Sequence, residues 1–151
     1  MNSNPNVRVL VADEREASFF DLPNALAAPQ PRGVLTNESA GLKDRDLETD
    51  RPGRGANRGT PGKHAVDGER SSERHETEQF VRDVARAVEG ARVRHEFDRL
   101  VIMAAPRMLG MLREALPATC RSVVAAEVAK DFVHEDADTI REAVPRAVFF
   151  H

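Results

Sequence analysis

Leu100-Val-Ile-Met-Ala-Ala-Pro-Arg-Met-Leu-Gly-Met-Leu-Arg113 decides the fold class of this chain. Its first six residues are an unbroken apolar run, the pattern of a strand covered on both faces. Pro106 comes next, where a helix can begin, because a first-turn N–H has no intrahelical partner to lose. Met108, Leu109, Leu112 and Leu116 recur along one side of that helix, and Pro117 closes it. Ser122-Val-Val-Ala-Ala126 reads as a second buried strand. Glu135 to Val144 reads as a last helix carried by Ala137, Ile140 and Val144 and stopped by Pro145.

Upstream, Phe80, Val84 and Val88 recur every fourth residue, flanked by Val81, Ala85 and Ala87. This predicts an amphipathic helix with Ser72 as N-cap, Glu73 and Glu76 suiting its dipole, and Gly90 as the first stop signal. The second half therefore alternates helix and strand, which implies parallel pairing through right-handed crossovers. The first half differs. Val7 to Ala12 and Ala17 to Leu22 are short apolar runs split by Asp13-Glu-Arg-Glu16, the signature of a hairpin. Asp13 reads as a turn residue. Pro23, Pro29 and Pro31 interrupt the segment after the hairpin, and Gly33 to Glu38 is a third strand candidate. The fold expected is α/β: a single domain over residues 1–151, with a mixed β-sheet and flanking helices.

From residue 42 to 72 the chain is polar and almost patternless, a length that marks a functional loop or disorder. Arg51 to His64 holds Arg51, Arg54, Arg58 and Lys63, four Gly, two Pro and no acidic residue. The whole chain carries a net charge of −3, so this +4 segment leaves −7 on the rest. Cationic charge gathered on a Gly-rich loop of an acidic body suits a polyanion such as RNA backbone. A solvated loop kept soluble by its charge is the plain alternative. The loop has no aromatic residue to stack on bases, so contact would be to backbone and shape.

Other chemistries fare worse. Gly62-Lys63 is followed by His64 where a P-loop needs Ser or Thr, and Gly53-x-Gly55 lacks a third glycine after two intervening residues, where Arg58 stands. Among His64, His75, Glu78, His95, His134, Asp136 and Asp138 no zinc spacing occurs, although His75 and Glu78 share a helix face. Cys120 has no activating neighbour in sequence and reads as a buried thiol; a lone cysteine excludes an internal disulfide and suits a reducing compartment. Arg107 and Arg113 form a candidate anion site past a parallel strand, where open sheets bind ligands. In the plain reading Pro106 starts the helix, Gly110 permits close packing and both arginines are solvated. No cofactor, metal or catalytic residue is expected. Met1-Asn-Ser-Asn-Pro-Asn6 lacks the features of a signal peptide, and no apolar run reaches the roughly 20 residues that span a bilayer. The reading is a cytoplasmic protein without membrane contact, which leaves the sequon Asn37-Glu-Ser39 unused.

Val9-Leu-Val-Ala-Asp13, Ala17-Ser-Phe-Phe20, Asp50-Arg-Pro-Gly-Arg54, Phe80 to Ala85, Phe97-Asp-Arg-Leu-Val101, Ala104 to Arg113 and Lys130-Asp131 together resemble the bacterial host attachment protein family. Ala-Pro-Arg-x-Leu-Gly-x-Leu-Arg is the most specific of these blocks. That family is similar in turn to the middle domain of eukaryotic and archaeal peptide-chain release factors. Those domains carry a Gly-Arg-Gly-Gly-Gln loop ahead of a long helix and an apolar strand. Gly53-Arg-Gly-Ala-Asn57 stands in the corresponding place. Ala56 replaces a glycine and restricts the backbone, and Asn57 is a methylene shorter than Gln. The resemblance therefore implies a fold and a ribosomal location without hydrolysis of peptidyl-tRNA.

One function is expected first from these residues, with two alternatives behind it in descending order of weight. The first is a non-enzymatic module that sets Arg51, Gly53, Arg54, Gly55, Asn57, Arg58 and Lys63 against ribosomal or transfer RNA. The second is an intracellular interaction factor in host attachment working through protein partners. The third is a hydrolase using Asn57 or His64.

Overall fold

The computed structural model describes residues 5–38 and 62–150, except for the side chains of 62–73. Five strands form one mixed sheet: β1 (Val7–Ala12), β2 (Glu16–Leu22), β3 (Gln30–Thr36), β4 (Arg99–Met103) and β5 (Val124–Val128), in the spatial order β3-β2-β1-β4-β5. β1 pairs antiparallel with β2 and parallel with β4, β2 pairs antiparallel with β3, and β4 pairs parallel with β5. The helices are α1 (Gly62–Val93), α2 (Pro106–Ala115), α3 (Ala118–Arg121) and α4 (Ala137–Ala143), with a 3-10 turn at Arg146–Phe149. The α/β single-domain architecture with helices on a mixed sheet is as the residue pattern implies.

The core lies on both faces of the sheet. Leu10, Ala12, Leu100 and Ile102 point to one side, against Phe80, Val84 and Val88 of α1 and Leu109 and Leu112 of α2. Val7, Val9, Val11, Val101 and Met103 point to the other, against Phe132, Ile140, Val144, Val148 and Phe149. This double cover explains why β4 reads as an unbroken apolar run and β1 as one broken only by Arg8: each successive side chain leaves water on an opposite face. Each fully buried Leu or Val contributes about 1.5–3 kcal/mol relative to exposure.

The hairpin turn is held as its sequence implies. Asp13 Oδ1 accepts from the backbone N–H of Arg15 and of Glu16, both at 2.8 Å. α4 begins at Ala137, two residues later than Glu135, because Asp136 Oδ1 accepts from Thr139 N–H at 2.8 Å and caps it.

Other boundaries also differ from expectation. α1 starts at Gly62, so residues 62–72 of the expected loop are helix and Ser72 is not its N-cap. Its far end passes Gly90 and stops at Val93. His95 N–H donates to Arg92 C=O at 2.9 Å and Glu96 N–H to Ala91 C=O at 3.0 Å. That is a Schellman motif, with His95 at φ 60 in the position usually given to glycine. Hydrogen bonding past the glycine overrode its low propensity. β3 begins at Gln30 and contains Pro31, which a sheet edge tolerates because an outward N–H is not missed. β5 starts at Val124 and is half-exposed, since no strand lies beyond it. Gly110 has open space around the position a Cβ would take, so close packing does not explain it.

Candidate functional site

β1, β4 and β5 run in parallel, and β3, two antiparallel steps away from β1, runs the same way. All four end on one edge of the sheet, where open α/β sheets hold ligands. On that edge Asn37 N–H donates to Arg15 C=O at 2.8 Å and Asn37 Nδ2 to Glu14 C=O at 3.1 Å, tying the end of β3 to the hairpin turn. α1 passes alongside and leaves a polar cleft of about 440 Å³ lined by Thr36, Asn37, Glu38, His75, Gln79 and Asp83, among others, over the ring of Phe80. Gln79 Nε2 donates to Asp83 Oδ1 at 3.1 Å, and Arg86 stands 3.8 Å from the same carboxylate. Such a lining attracts cations and repels phosphate. Among the described residues no three His, Cys, Asp or Glu side chains converge to hold a metal ion. His75 lines the cleft beside Glu76; Glu78, three residues further along the helix, is not part of the lining.

The opposite end of the sheet, where β1 and β4 begin, carries a charged network that the sequence shows only as one arginine in an apolar run. Arg8 and Asp21 are register partners in β1 and β2, and both are nearly sealed, at 5% and 4% exposure. Arg8 Nε and Nη2 donate to the two Asp21 oxygens at 2.7 and 3.1 Å, a bidentate fork. Arg8 Nη1 donates to Glu96 at 3.0 Å, Arg32 of β3 donates to Asp21 at 2.7 Å, and Arg94 donates to Glu96 at 2.8 Å. The Arg8 guanidinium also lies 5.5 Å from the Phe97 ring centroid. Burial pulls the Arg8 pKa down, and the bonds to Asp21 and Glu96 outweigh it. Bonds from Arg94 and Arg8 hold the Glu96 carboxyl below its ordinary range. The network joins three strands and the exit of α1, and every charge in it has a partner.

The candidate residues fall in different places. Arg51, Gly53, Arg54, Gly55, Asn57 and Arg58 lie outside the described residues, as does the side chain of Lys63, whose backbone sits in the first turn of α1. Arg107 and Arg113 do not make one anion site. They stand at opposite ends of α2, six residues and thus about 9 Å apart along the axis, on different faces. Arg113 also forks onto Glu127 of β5 at 3.1 and 2.5 Å, which holds that carboxyl below its usual range. A carboxylate of the protein thus fills the guanidinium fork. Cys120 is buried, and that burial pushes its thiol up to about 11, which makes it a poor nucleophile at neutral pH.

A five-stranded mixed sheet with a long crossover helix, a polar cleft at the strand ends and a sealed charge network defines an α/β domain. Residues 8–144 match the family model described as "Protein required for attachment to host cells", and the chain belongs to that family. It is also 37% identical over 49 residues to "Uncharacterized protein RP470" of Rickettsia prowazekii (strain Madrid E). That alignment takes in 32% of this chain and 33% of the relative. No described helix is long and apolar enough to cross a membrane.

Proposed function

We propose that this protein is a non-enzymatic, release-factor-like module of the cytoplasm that binds ribosomal or transfer RNA through the basic segment Arg51–Lys63. The observation that carries the reading is where the segment ends. It runs directly into the N-terminus of α1 at Gly62, a helix of 32 residues and so about 48 Å long. A helix N-terminus presents unpaired N–H groups and a positive dipole end, which together favour phosphate. Among the described side chains of α1 the buried apolar ones begin at Phe80. The described turn ahead of it, Arg74 to Gln79, is not committed to the core.

Charge elsewhere agrees. Many arginines of the described body are already paired: Arg8, Arg32, Arg92, Arg94, Arg113 and Arg141 meet carboxylates of the protein. Arg99 and Arg121 meet backbone carbonyls. The strand-end cleft is acidic and offers no competing phosphate site.

Co-sedimentation with ribosomes tests the reading, comparing wild type with a variant carrying Arg51→Ala, Arg54→Ala, Arg58→Ala and Lys63→Ala. Wild type should sediment and the variant should not. If all four cations meet phosphates, log affinity should fall against log salt with a slope of roughly −3 to −4. Equal sedimentation of both proteins, or no RNA binding at low salt, overturns the proposal and leaves the second reading, an attachment factor acting through protein partners.

A further inference from the structure

β5 is the last strand of the sheet, and a groove of about 340 Å³ runs between it and α2. Ile102 and Leu116 form its apolar floor, Val124, Ala125 and Ala126 its strand wall, and Arg113, Arg121 and Glu127 stand around it. Leu100 N–H donates to Val123 C=O at 2.9 Å and Ala104 N–H to Val128 C=O at 3.1 Å. The ladder therefore uses the alternate amides of β4 that start at Leu100. Val124 and Glu127, in register with Leu100 and Ile102, direct their own N–H and C=O outward. Among the described residues nothing pairs with that edge.

An open strand edge beside an apolar groove is the arrangement by which domains add an extended peptide: main-chain bonds supply attraction, and the groove selects alternate side chains. The charges select further. Glu127 is already neutralised by Arg113. Arg121 donates to the carbonyl of Leu116 at 2.6 Å and has no carboxylate partner among the described residues. The groove therefore keeps one uncompensated positive charge. We propose that it docks an extended segment of a partner protein, which adds to β5, seats an aliphatic side chain over Ile102 and Leu116, and offers a carboxylate to Arg121. This proposal does not depend on the RNA reading.

The test pans a phage-displayed library of random dodecapeptides on the purified full chain and then measures the enriched peptides by fluorescence anisotropy. Enriched sequences should combine an aliphatic residue with a nearby Asp or Glu. Glu127→Pro removes an outward N–H and should weaken binding by roughly ten-fold, the worth of about one good bond. Glu127→Gln keeps the N–H and frees the Arg113 guanidinium, so it should bind an acidic peptide no more weakly than wild type. Arg121→Glu, a surface change that needs no proline in the strand, should shift preference to Lys- or Arg-bearing peptides. Circular dichroism verifies that each variant folds. No enrichment over a protein-free control overturns the proposal, as do enriched peptides indifferent to both Glu127→Pro and Arg121→Glu. A concentration-dependent dimer in ultracentrifugation that Glu127→Pro abolishes also overturns it, because a second copy would then be the occupant.

Discussion

The two edges of the sheet are finished differently. β3 is exposed along nearly all its length, is held by β2 alone, and contains Pro31, Arg32 and Gly33. Its ladder slips at Phe19 and Phe20, and Gly33 takes φ +124, a backbone state closed to other residues. Proline, charge and an irregular ladder are the devices by which proteins prevent edge-to-edge pairing. β5 also has a ladder slip, at Leu100 and Val101, but its residues are Val, Ala, Ala, Glu and Val. Its single charge is folded back onto Arg113. One edge is blocked by local chemistry, and the other is left available beside an apolar groove. An edge without protection has a cost in aggregation unless something pairs with it, which is why the difference bears on function.

The largest expected effect tests how the blocked edge is anchored. Asp21 binds Arg32 of β3 and Arg8 of β1 from a sealed position. Asp21→Ala leaves Arg8 buried without its main partner and should cost about 3–5 kcal/mol in urea unfolding. A loss below about 1 kcal/mol would mean that the network does not hold the edge. Gly33→Ala comes next. Nothing crowds the new Cβ, so its cost is purely backbone strain, about 1–3 kcal/mol. A neutral result would show that β3 adapts freely and is not a fixed block. His95→Gly should act in the opposite direction, gaining up to about 1–2 kcal/mol by relieving a left-handed side chain at the α1 terminus.

The open edge should respond less. Cys120 lies in α3, in the same core as Val124, and burial raises its thiol to about 11 against an ordinary 9.0. The unfolded chain loses this proton first. Stability from this group should hold below pH 9 and fall as pH rises from 9 to 11, and Cys120→Ala should remove that part of the fall. Native protein at about pH 8 should resist a thiol reagent that labels it rapidly in denaturant. Smallest of all, Glu127→Gln removes a pair on a half-open surface and should leave the urea midpoint within experimental scatter. A clear loss would show that the Arg113 fork braces β5.

Much of this architecture is legible in the residues. Leu100 to Met103 announces a doubly covered strand because no polar alternation interrupts it, Val7 to Ala12 announces a hairpin strand, and Asp13 announces its turn through short-range bonding. The departures come where local signals compete with distant contacts. Ser72 has the chemistry of a cap, yet α1 begins at Gly62. Gly90 has the chemistry of a stop, yet the chain closes the helix at His95 through backbone bonds no composition reveals. Val124 to Val128 resembles a central strand because small apolar residues suit either place. The Arg8–Asp21 pair is hidden in the sequence because it depends on strand register. Arg107 and Arg113 resemble one site there because nearness along the chain does not put two residues on one helix face.

By itself the order of residues determined the class of fold, the parallel half, the hairpin half and the concentration of cations between Arg51 and Lys63. These arise from hydrophobic periodicity, turn chemistry and charge, which act between neighbours along the chain. Which strand became the unpaired edge, which arginine was sealed against which carboxylate and where a cleft opened were decided only in three dimensions. Those outcomes depend on contacts between residues far apart in the chain, whose free energies exist only after the sheet has assembled.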